Sequence, residues 1–237
     1  MEGRMRTCRL IDTGMGHPFY VTALDEAIAD ARKNNVVPDT LHFYRREPPG
    51  ISVGYFQTVK DIDLELCRKH NVVVVRRTSG GGTIYTDKHQ LIYALIMKTS
   101  MDTEKIFQMV CISIVEALQA LGVSAEYKKP NDVTVNGKKI SGSAIIRKGD
   151  VALVHGTIMI DCNLKLACKL IKISKPVTTL HAYKAVSVPE MKNMLREIFG
   201  KTFNMQIVSG SLTVYEKILA EKLVKEKYSR DEWNLKR

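Results

Sequence analysis

Apolar residues follow helical spacing in some segments of the chain and strand spacing in others, so the pattern predicts both kinds of element. The longest predicted helix covers residues 103–121, where apolar side chains share one face and Gly122 marks the end. Further helices are predicted over residues 20–34, 63–70, 164–173, 189–199 and 214–227. Strands are predicted over residues 5–12, 41–46, 51–55, 72–75, 90–97, 132–135, 138–140 and 151–160.

The order of these elements predicts the fold class. Predicted strands mostly follow other strands, and Asn136-Gly137 is a strong signal for a two-residue hairpin. We therefore expect an α+β fold, in which a mixed or antiparallel sheet is flanked by helices. No internal repeat or linker interrupts the pattern, which indicates one domain over residues 1–237.

Composition narrows the class of protein. The chain has 237 residues, of which 45% are hydrophobic and 26% charged, as is ordinary for a globular protein. No apolar run is long enough to span a membrane, and the first residues lack the apolar core of a signal peptide. Five scattered cysteines without a CxxC pair argue against disulfides and zinc, so we expect a reducing, cytoplasmic setting.

The net charge of +11 changes the expected partners. It is consistent with a solvated lysine-rich surface, and also with an acidic protein or a phosphate-bearing ligand. Lysines and arginines are spread along the whole chain and form no basic stripe with aromatic residues. We therefore predict no nucleic-acid partner and no membrane partner.

The first candidate for chemistry is the segment RRTSGGG, residues 76–82. Consecutive glycines let backbone N–H groups approach an anion closely, and the two arginines add positive charge. The segment matches neither the P-loop pattern nor a dinucleotide-binding pattern. It suits a phosphate or a carboxylate, and a plain flexible turn is the alternative.

The second candidate covers residues 129–157. Lys139 ends a tight hairpin and is followed by small residues that keep the backbone open. The functional interpretation is a cation beside an open backbone. The alternatives are a solvated strand lysine at this position and a buried structural histidine at His155.

Taken together, RRTSGGG, NDVTVNGKKISGSA and HGT resemble the catalytic domain of lipoate–protein ligases, within the lipoate/biotin protein ligase superfamily. The resemblance begins at Leu24–Ile28 and ends at Glu232–Asn234. It implies a mixed-sheet catalytic domain. It also implies that lipoate and MgATP form lipoyl-AMP, an adenylate intermediate, and that the lipoyl group passes to a lysine of a lipoyl domain or glycine-cleavage H protein.

The resemblance also assigns roles to individual residues. Lys139 would neutralise charge between carbonyl and phosphate, and Asp132 would hold Mg²⁺ or orient the incoming lysine amine. Glu26 would line the lipoyl end. The remaining predicted substrate and adenylate site comprises Arg77, Ser79, Gly80, Gly81, Gly82, Ile84, Tyr85, Asn131, Ser141, Gly142, Ser143, Ala144, His155, Gly156 and Thr157.

The chain departs from the family pattern at several positions. Thr86 stands where a histidine is frequent, Pro130 precedes the ND pair in place of arginine, and Ile146 displaces an arginine to position 147. These departures leave the choice between lipoate and octanoate open. Many family members carry a small accessory domain after the segment that matches Glu232–Asn234, so the resemblance implies that this chain has no C-terminal accessory domain. We expect either a small separate accessory subunit, which we favour, or an enzyme that works alone.

Three alternatives to the ligase remain. The first is an octanoyl- or lipoyl-transferase of the same fold, which uses a cysteine thioester. Such transferases carry this cysteine in the segment that corresponds to residues 123–139. No cysteine lies there in this chain, and its absence favours the ligase. A biotin ligase is disfavoured because its GRGRR-type loop is absent. A non-enzymatic basic binding module is the third alternative.

Overall fold

The computed structural model of the protein describes residues 5–237. The strands are β1 (Arg6–Gly16), β2 (Asp39–Arg46), β3 (Gly50–Val53), β4 (Val73–Arg76), β5 (Ile84–Thr86), β6 (Leu91–Lys98), β7 (Ala125–Lys128), β8 (Asp132–Val135), β9 (Lys138–Lys148), β10 (Val151–Ile158) and β11 (Met205–Ser209). The α-helices are α1 (Pro18–Lys33), α2 (Leu64–Lys69), α3 (Thr103–Ala120), α4 (Leu164–Leu170), α5 (Val188–Thr202), α6 (Val214–Leu223) and α7 (Asp231–Asn234).

Two sheets organise the described chain. The larger sheet has eight strands in the order β11-β1-β2-β6-β10-β9-β8-β7, and the smaller has the order β4-β3-β5. Strand β1 runs parallel to β11 and to β2, whereas β2, β6, β10, β9, β8 and β7 pair antiparallel with one another. This mixed sheet with flanking helices confirms the predicted fold class.

Helices cover both faces of the large sheet because its central strands are apolar on both faces. Along β6, Leu95 contributes to the apolar cluster that includes α3 and α5. The next residue, Ile96, contributes to the cluster that includes α1 and α6. Successive side chains of a strand point to opposite faces, so β6 is buried on both. No helix among residues 5–237 combines the length and apolarity that crossing a bilayer requires.

The local signals for helix ends and turns act as the sequence predicts. The Asp102 side chain accepts a hydrogen bond from the Lys105 N–H at 2.7 Å and caps the start of α3. Gly122, two residues after the end of α3, has a φ of +79°. Asn136 and Gly137 have φ angles of +50° and +73°, as a two-residue hairpin requires. This hairpin joins β8 to β9 and places Lys139 near the start of β9.

Candidate active site

A cavity opens between the glycine loop and the strands β9 and β10. The small sheet and the end of β2 close its other side. Its walls are formed by Tyr44, Arg46, Ser52, Arg77, Gly81, Gly82, Ile84, Thr86, Ile92, Asn131, Lys139, Gly142, Ser143, Ala144, His155, Gly156 and Thr157.

The two consecutive arginines at the end of β4, Arg76 in the strand and Arg77 just after it, have different roles. The Arg76 side chain is fully buried and donates to the backbone carbonyls of Gly54, Gln57, Trp233 and Lys236, among others. It joins the small sheet to the end of the chain and is absent from the cavity wall. Arg76 therefore stabilises the fold, and the positive charge at this part of the cavity comes from Arg77.

Arg77 faces the cavity and holds the glycine loop. Its guanidinium donates to the carbonyls of Gly80 and Gly82 at 2.6 and 2.8 Å, and to the Ser52 carbonyl at 2.9 Å. Burial, together with repulsion from Arg46, lowers the pKa of Arg77 to about 10. The guanidinium therefore remains charged at neutral pH. All of these partners are neutral oxygens, so its charge is available to a bound anion.

Arg46 is a second buried cation in the cavity wall. Its Nη atoms donate to the Thr86 hydroxyl at 3.2 Å and to the Thr22 hydroxyl at 2.9 Å. Its Nε is buried and has no hydrogen-bond partner among residues 5–237. Burial lowers the pKa of Arg46, although the attraction of Tyr44 and Asp25 for the guanidinium partly offsets this effect by raising the pKa.

A buried polar chain runs from Ser79 through two histidines. The Ser79 hydroxyl lies 2.6 Å from His155 Nε2, and His155 Nδ1 lies 3.3 Å from an Asp25 carboxylate oxygen. The other Asp25 oxygen lies 2.9 Å from His42 Nδ1. Burial alone would raise the pKa of Asp25, but hydrogen bonds with both histidines outweigh it and hold the pKa below its usual range. This chain fixes the His155 ring against the cavity.

Lys139 reaches the cavity across a glycine. A Cβ at Gly142 would overlap the end of the Lys139 side chain, so a larger residue at this position would have to displace the ammonium. Lys139 Nζ lies 2.6 Å from one Asp132 carboxylate oxygen, and Lys175 Nζ lies 2.7 Å from the other. Burial raises the pKa of Asp132, but the bonds and charges of the two lysines outweigh it and lower the pKa. One carboxylate thus holds two ammonium groups.

Asp132 does not fit the predicted Mg²⁺ site. Both of its oxygens are engaged by lysines, which occupy the positions that a cation would need. Among the described residues, no group of three His, Cys, Asp or Glu side chains is arranged to hold a metal.

The cavity brings together most of the residues that the sequence predicts. Arg77, Gly81, Gly82, Ile84, Asn131, Lys139, Gly142, Ser143, Ala144, His155, Gly156 and Thr157 all line it. Ser79 lies behind the wall against His155, and the Gly80 carbonyl binds Arg77.

Other predicted residues lie elsewhere. The Glu26 carboxylate lies between Lys148, Lys227 and Tyr228, and is absent from the cavity wall. Tyr85 packs in the apolar cluster beneath the small sheet, and the buried Ser141 hydroxyl has no hydrogen-bond partner among residues 5–237.

Sequence reasoning missed five wall residues, namely Tyr44, Arg46, Ser52, Thr86 and Ile92. They lie on β2, β3, β5 and β6, where no motif pointed to a contribution to the site. The one available signal was Arg45-Arg46, the pair of arginines that ends the predicted strand 41–46. Lys175 was missed as well, because it meets Asp132 only through a return of the chain beside β9.

None of the five cysteines, all within the described residues, lines the cavity. Cys8, Cys67 and Cys111 are buried, Cys162 is half-buried and Cys168 is exposed on α4. Cys111 is the cysteine that contacts a wall residue, because its thiol neighbours the Ser143 hydroxyl beneath β9. Burial raises the pKa of the Cys111 thiol to about 12. A thiol with that pKa is not a thiolate at neutral pH and is a poor nucleophile.

Comparison with known proteins identifies relatives over nearly the whole chain. The family model of the lipoyl protein ligase A/B catalytic domain matches residues 17–214. The octanoyltransferase LipM of Geobacillus kaustophilus is 30% identical over an alignment of 273 positions, which covers 97% of this chain and 98% of the relative. The octanoyltransferase LipM of Clostridioides difficile is 32% identical over 257 positions, covering 91% of this chain and 93% of the relative.

Among solved structures, the chain is similar to the bi-partite lipoate protein ligase of Thermoplasma acidophilum, which was studied with its E2 lipoyl domain. The TM-score is 0.88 at 27% identity, with 99% of this chain and 98% of the other covered.

The relatives overturn the prediction of an ATP-dependent ligase. They are octanoyltransferases, so the predicted AMP-forming activation of lipoate, with its ATP, Mg²⁺, nucleotide-binding site and adenylate intermediate, is wrong. The absence of a cysteine from residues 123–139 was a misleading discriminator. An acyl thioester is already activated towards an amine, so a transferase needs neither ATP nor, in principle, a covalent intermediate on the protein.

Proposed function

Since the chain belongs to the lipoyl protein ligase A/B catalytic domain family, we propose that it transfers an octanoyl group from a carrier thioester to a lysine amine of a lipoyl-domain protein. The match with octanoyltransferases over nearly the whole chain carries this proposal. The cavity supports it, because it presents cations and an open glycine backbone to a reacting carbonyl.

The transfer exchanges one bond for another at the acyl carbon. The acceptor nitrogen forms the C–N bond, the C–S bond breaks, and the proton lost by nitrogen ends on the departing sulfur. Negative charge collects on the carbonyl oxygen in the transition state. A fixed ammonium near that oxygen stabilises the charge, and the half-buried Lys139 at the cavity wall can supply it.

The ion pair with Asp132 explains how Lys139 is kept in position. A free lysine side chain has many rotamers, and ordering it costs entropy. The Asp132 carboxylate fixes the ammonium before substrate arrives, and the second lysine, Lys175, lets Asp132 remain paired if Lys139 turns towards the carbonyl. Electrostatic groups that are already in place need no reorganisation during the reaction.

The positions of the cysteines favour direct transfer of the octanoyl group from the carrier to the acceptor lysine, without an acyl-cysteine intermediate. The thiols in or near the core have raised pKa values and no described cysteine reaches the cavity. The acceptor is a lipoyl-domain protein or the glycine-cleavage H protein. A separate accessory subunit stays a prediction.

The experiment supplies purified protein with an octanoyl carrier-protein thioester and a lipoyl domain, without ATP. We expect the acceptor to gain one octanoyl group on a lysine, as measured by intact-protein mass spectrometry. A variant in which all five cysteines are replaced is the matched arm, and it should transfer at a similar rate. Absence of transfer from the thioester would refute the proposed function, and an octanoyl thioester trapped on a cysteine would refute the direct route.

A further inference from the structure

A tight turn of the backbone over residues 54–57, just after β3, presents an aromatic side chain to solvent. The Gln57 N–H donates to the Gly54 carbonyl at 2.9 Å and closes the turn. Phe56 lies at the tip of the turn and is 70% exposed. Single exposed apolar side chains are common on protein surfaces. The significance of this ring therefore depends on how it is held and on what surrounds it.

Buried groups hold the turn in place. The guanidinium of the fully buried Arg76 donates to three carbonyl oxygens of the turn, which lie 2.7, 3.0 and 3.3 Å away. The Tyr55 N–H donates to the Ser79 carbonyl at 2.9 Å. The turn cannot shift without breaking these bonds. The aromatic ring at its tip is therefore in position before a partner arrives, which reduces the entropy that binding costs.

The turn lies at the open rim of the cavity. A Cβ at Gly54 would overlap the carbonyl of Gly81, which is exposed and lines the cavity. Consecutive Cα atoms are about 3.8 Å apart, so the Phe56 Cα lies within roughly 8 Å of the Gly54 Cα. The side chain of a lysine spans only about 6 Å from Cα to Nζ. A protein whose lysine enters the cavity must therefore lie against this rim.

Cations surround the exposed ring. The Arg237 guanidinium carbon lies 5.5 Å from the centroid of the Phe56 ring, and Lys236 Nζ lies 4.5 Å from the centroid of the Tyr55 ring. Among the described residues, the charged groups that act on Lys236 are three cations. Burial and repulsion from these cations lower the pKa of Lys236. Such a cluster attracts an acidic surface and repels a basic one.

We propose that the turn and its cations form the docking surface for the acceptor protein, which presents an acidic face around the lysine to be modified. Phe56 is the apolar anchor of this surface, and Lys236 and Arg237 attract the acidic side chains. The inference rests on the proposed acyl transfer and specifies how the acceptor is recognised. Rigid aromatic side chains beside arginines are typical of the residues that dominate binding energies. The short reach of a lysine favours the acceptor over the octanoyl carrier.

The test measures octanoyl transfer to a lipoyl domain by Phe56→Ser and Arg237→Glu variants. We expect Phe56→Ser to raise the KM for the lipoyl domain by about ten- to thirtyfold, the effect of losing a dominant contact. The kcat and the KM for the octanoyl donor should stay unchanged. Arg237→Glu should raise the KM for the lipoyl domain more at low salt than at high salt.

Helix α6 offers a matched control for each variant. Val214→Ser removes an apolar side chain that is 72% exposed, and Lys222→Glu makes the same change of net charge as Arg237→Glu. Neither residue lines the cavity, and both variants should keep the wild-type KM for the lipoyl domain.

Titration calorimetry with the lipoyl domain alone separates docking from transfer. Weaker binding by Phe56→Ser than by Val214→Ser supports the inference, even if wild-type protein transfers no octanoyl group, a result that refutes only the proposed function. Equal binding by these two variants overturns the inference. A raised KM for the donor with an unchanged KM for the lipoyl domain also overturns it, because the surface would then bind the carrier.

Discussion

At the scale of single residues, Lys139 and Lys138 form a natural pair for comparison. They are adjacent on β9 and therefore point to opposite faces. Lys139 lines the cavity and pairs with Asp132, whereas Lys138 is exposed. The two lysines carry the same charge. A difference in activity between their variants therefore arises from where the ammonium lies and not from the loss of one positive charge.

We expect Lys139→Ala to lower the turnover of acyl transfer by about 10²- to 10³-fold, the loss typical of one preorganised charge-stabilising group. Lys138→Ala should transfer at nearly the wild-type rate. Single-turnover transfer from the octanoyl thioester, measured at saturating acceptor, separates this effect from binding. Equal losses in the two variants would show that the lysines contribute only general surface charge.

At the scale of elements, Arg76 explains why a buried strand ends in arginine. Its guanidinium supplies hydrogens to carbonyls from the small sheet and from the segment around α7. The Asn234 side chain accepts from the Arg76 N–H at 2.9 Å, and the Trp233 indole donates to the Arg76 carbonyl at 2.8 Å. These contacts fasten α7 to β4, next to the glycine loop.

Replacing Arg76 by Met should therefore destabilise the protein by about 2–3 kcal/mol, because buried carbonyls lose a charged donor. Urea unfolding measures this free energy. Arg68→Met, at an exposed position of α2, is the control and should change stability by less than about 0.5 kcal/mol. If the two variants were equally stable, the Arg76 contacts would contribute nothing to the free energy of unfolding.

The elements that sequence patterns predict well are those whose signals are local. The long helix α3 and the Asn136-Gly137 hairpin carry caps and turn residues within a few positions of one another. The predictions failed for β11, which pairs with β1 from far along the chain, and for the three-residue β5. Helix α6 is also shorter than predicted, because residues 224–228 form a π turn. Such features depend on distant packing that periodicity does not record.

The candidate site divides in the same way. The glycine loop and Lys139 are recognisable because their residue types are unusual for their positions. Arg46 and Tyr44 escape notice because a strand residue gives no sign of which cavity its side chain faces. Their role emerges only when β2 and β5 are brought together around Arg77.

At the scale of the whole molecule, the net charge of +11 acts on encounter with the acceptor. Opposite charges steer association over about one Debye length, roughly 8 Å at physiological salt. With an acidic lipoyl domain, the second-order rate of acyl transfer should therefore fall as ionic strength rises. Turnover at saturating acceptor, which reports the chemistry inside the cavity, should change less. A second-order rate that stays constant from low to high salt would show that the basic surface does not guide this acceptor.

The parallel pairing of β1 with β11 has a consequence during synthesis on the ribosome. Strand β1 is complete at Gly16, yet the strand that covers its outer side begins only at Met205. At a translation rate of about 5–20 residues per second, roughly 10–40 s pass between the two. Throughout that interval the nascent chain carries an open strand edge with unpaired N–H and C=O groups, the kind of surface on which other chains associate. The nascent protein therefore remains open to this route of aggregation until β11 has been translated.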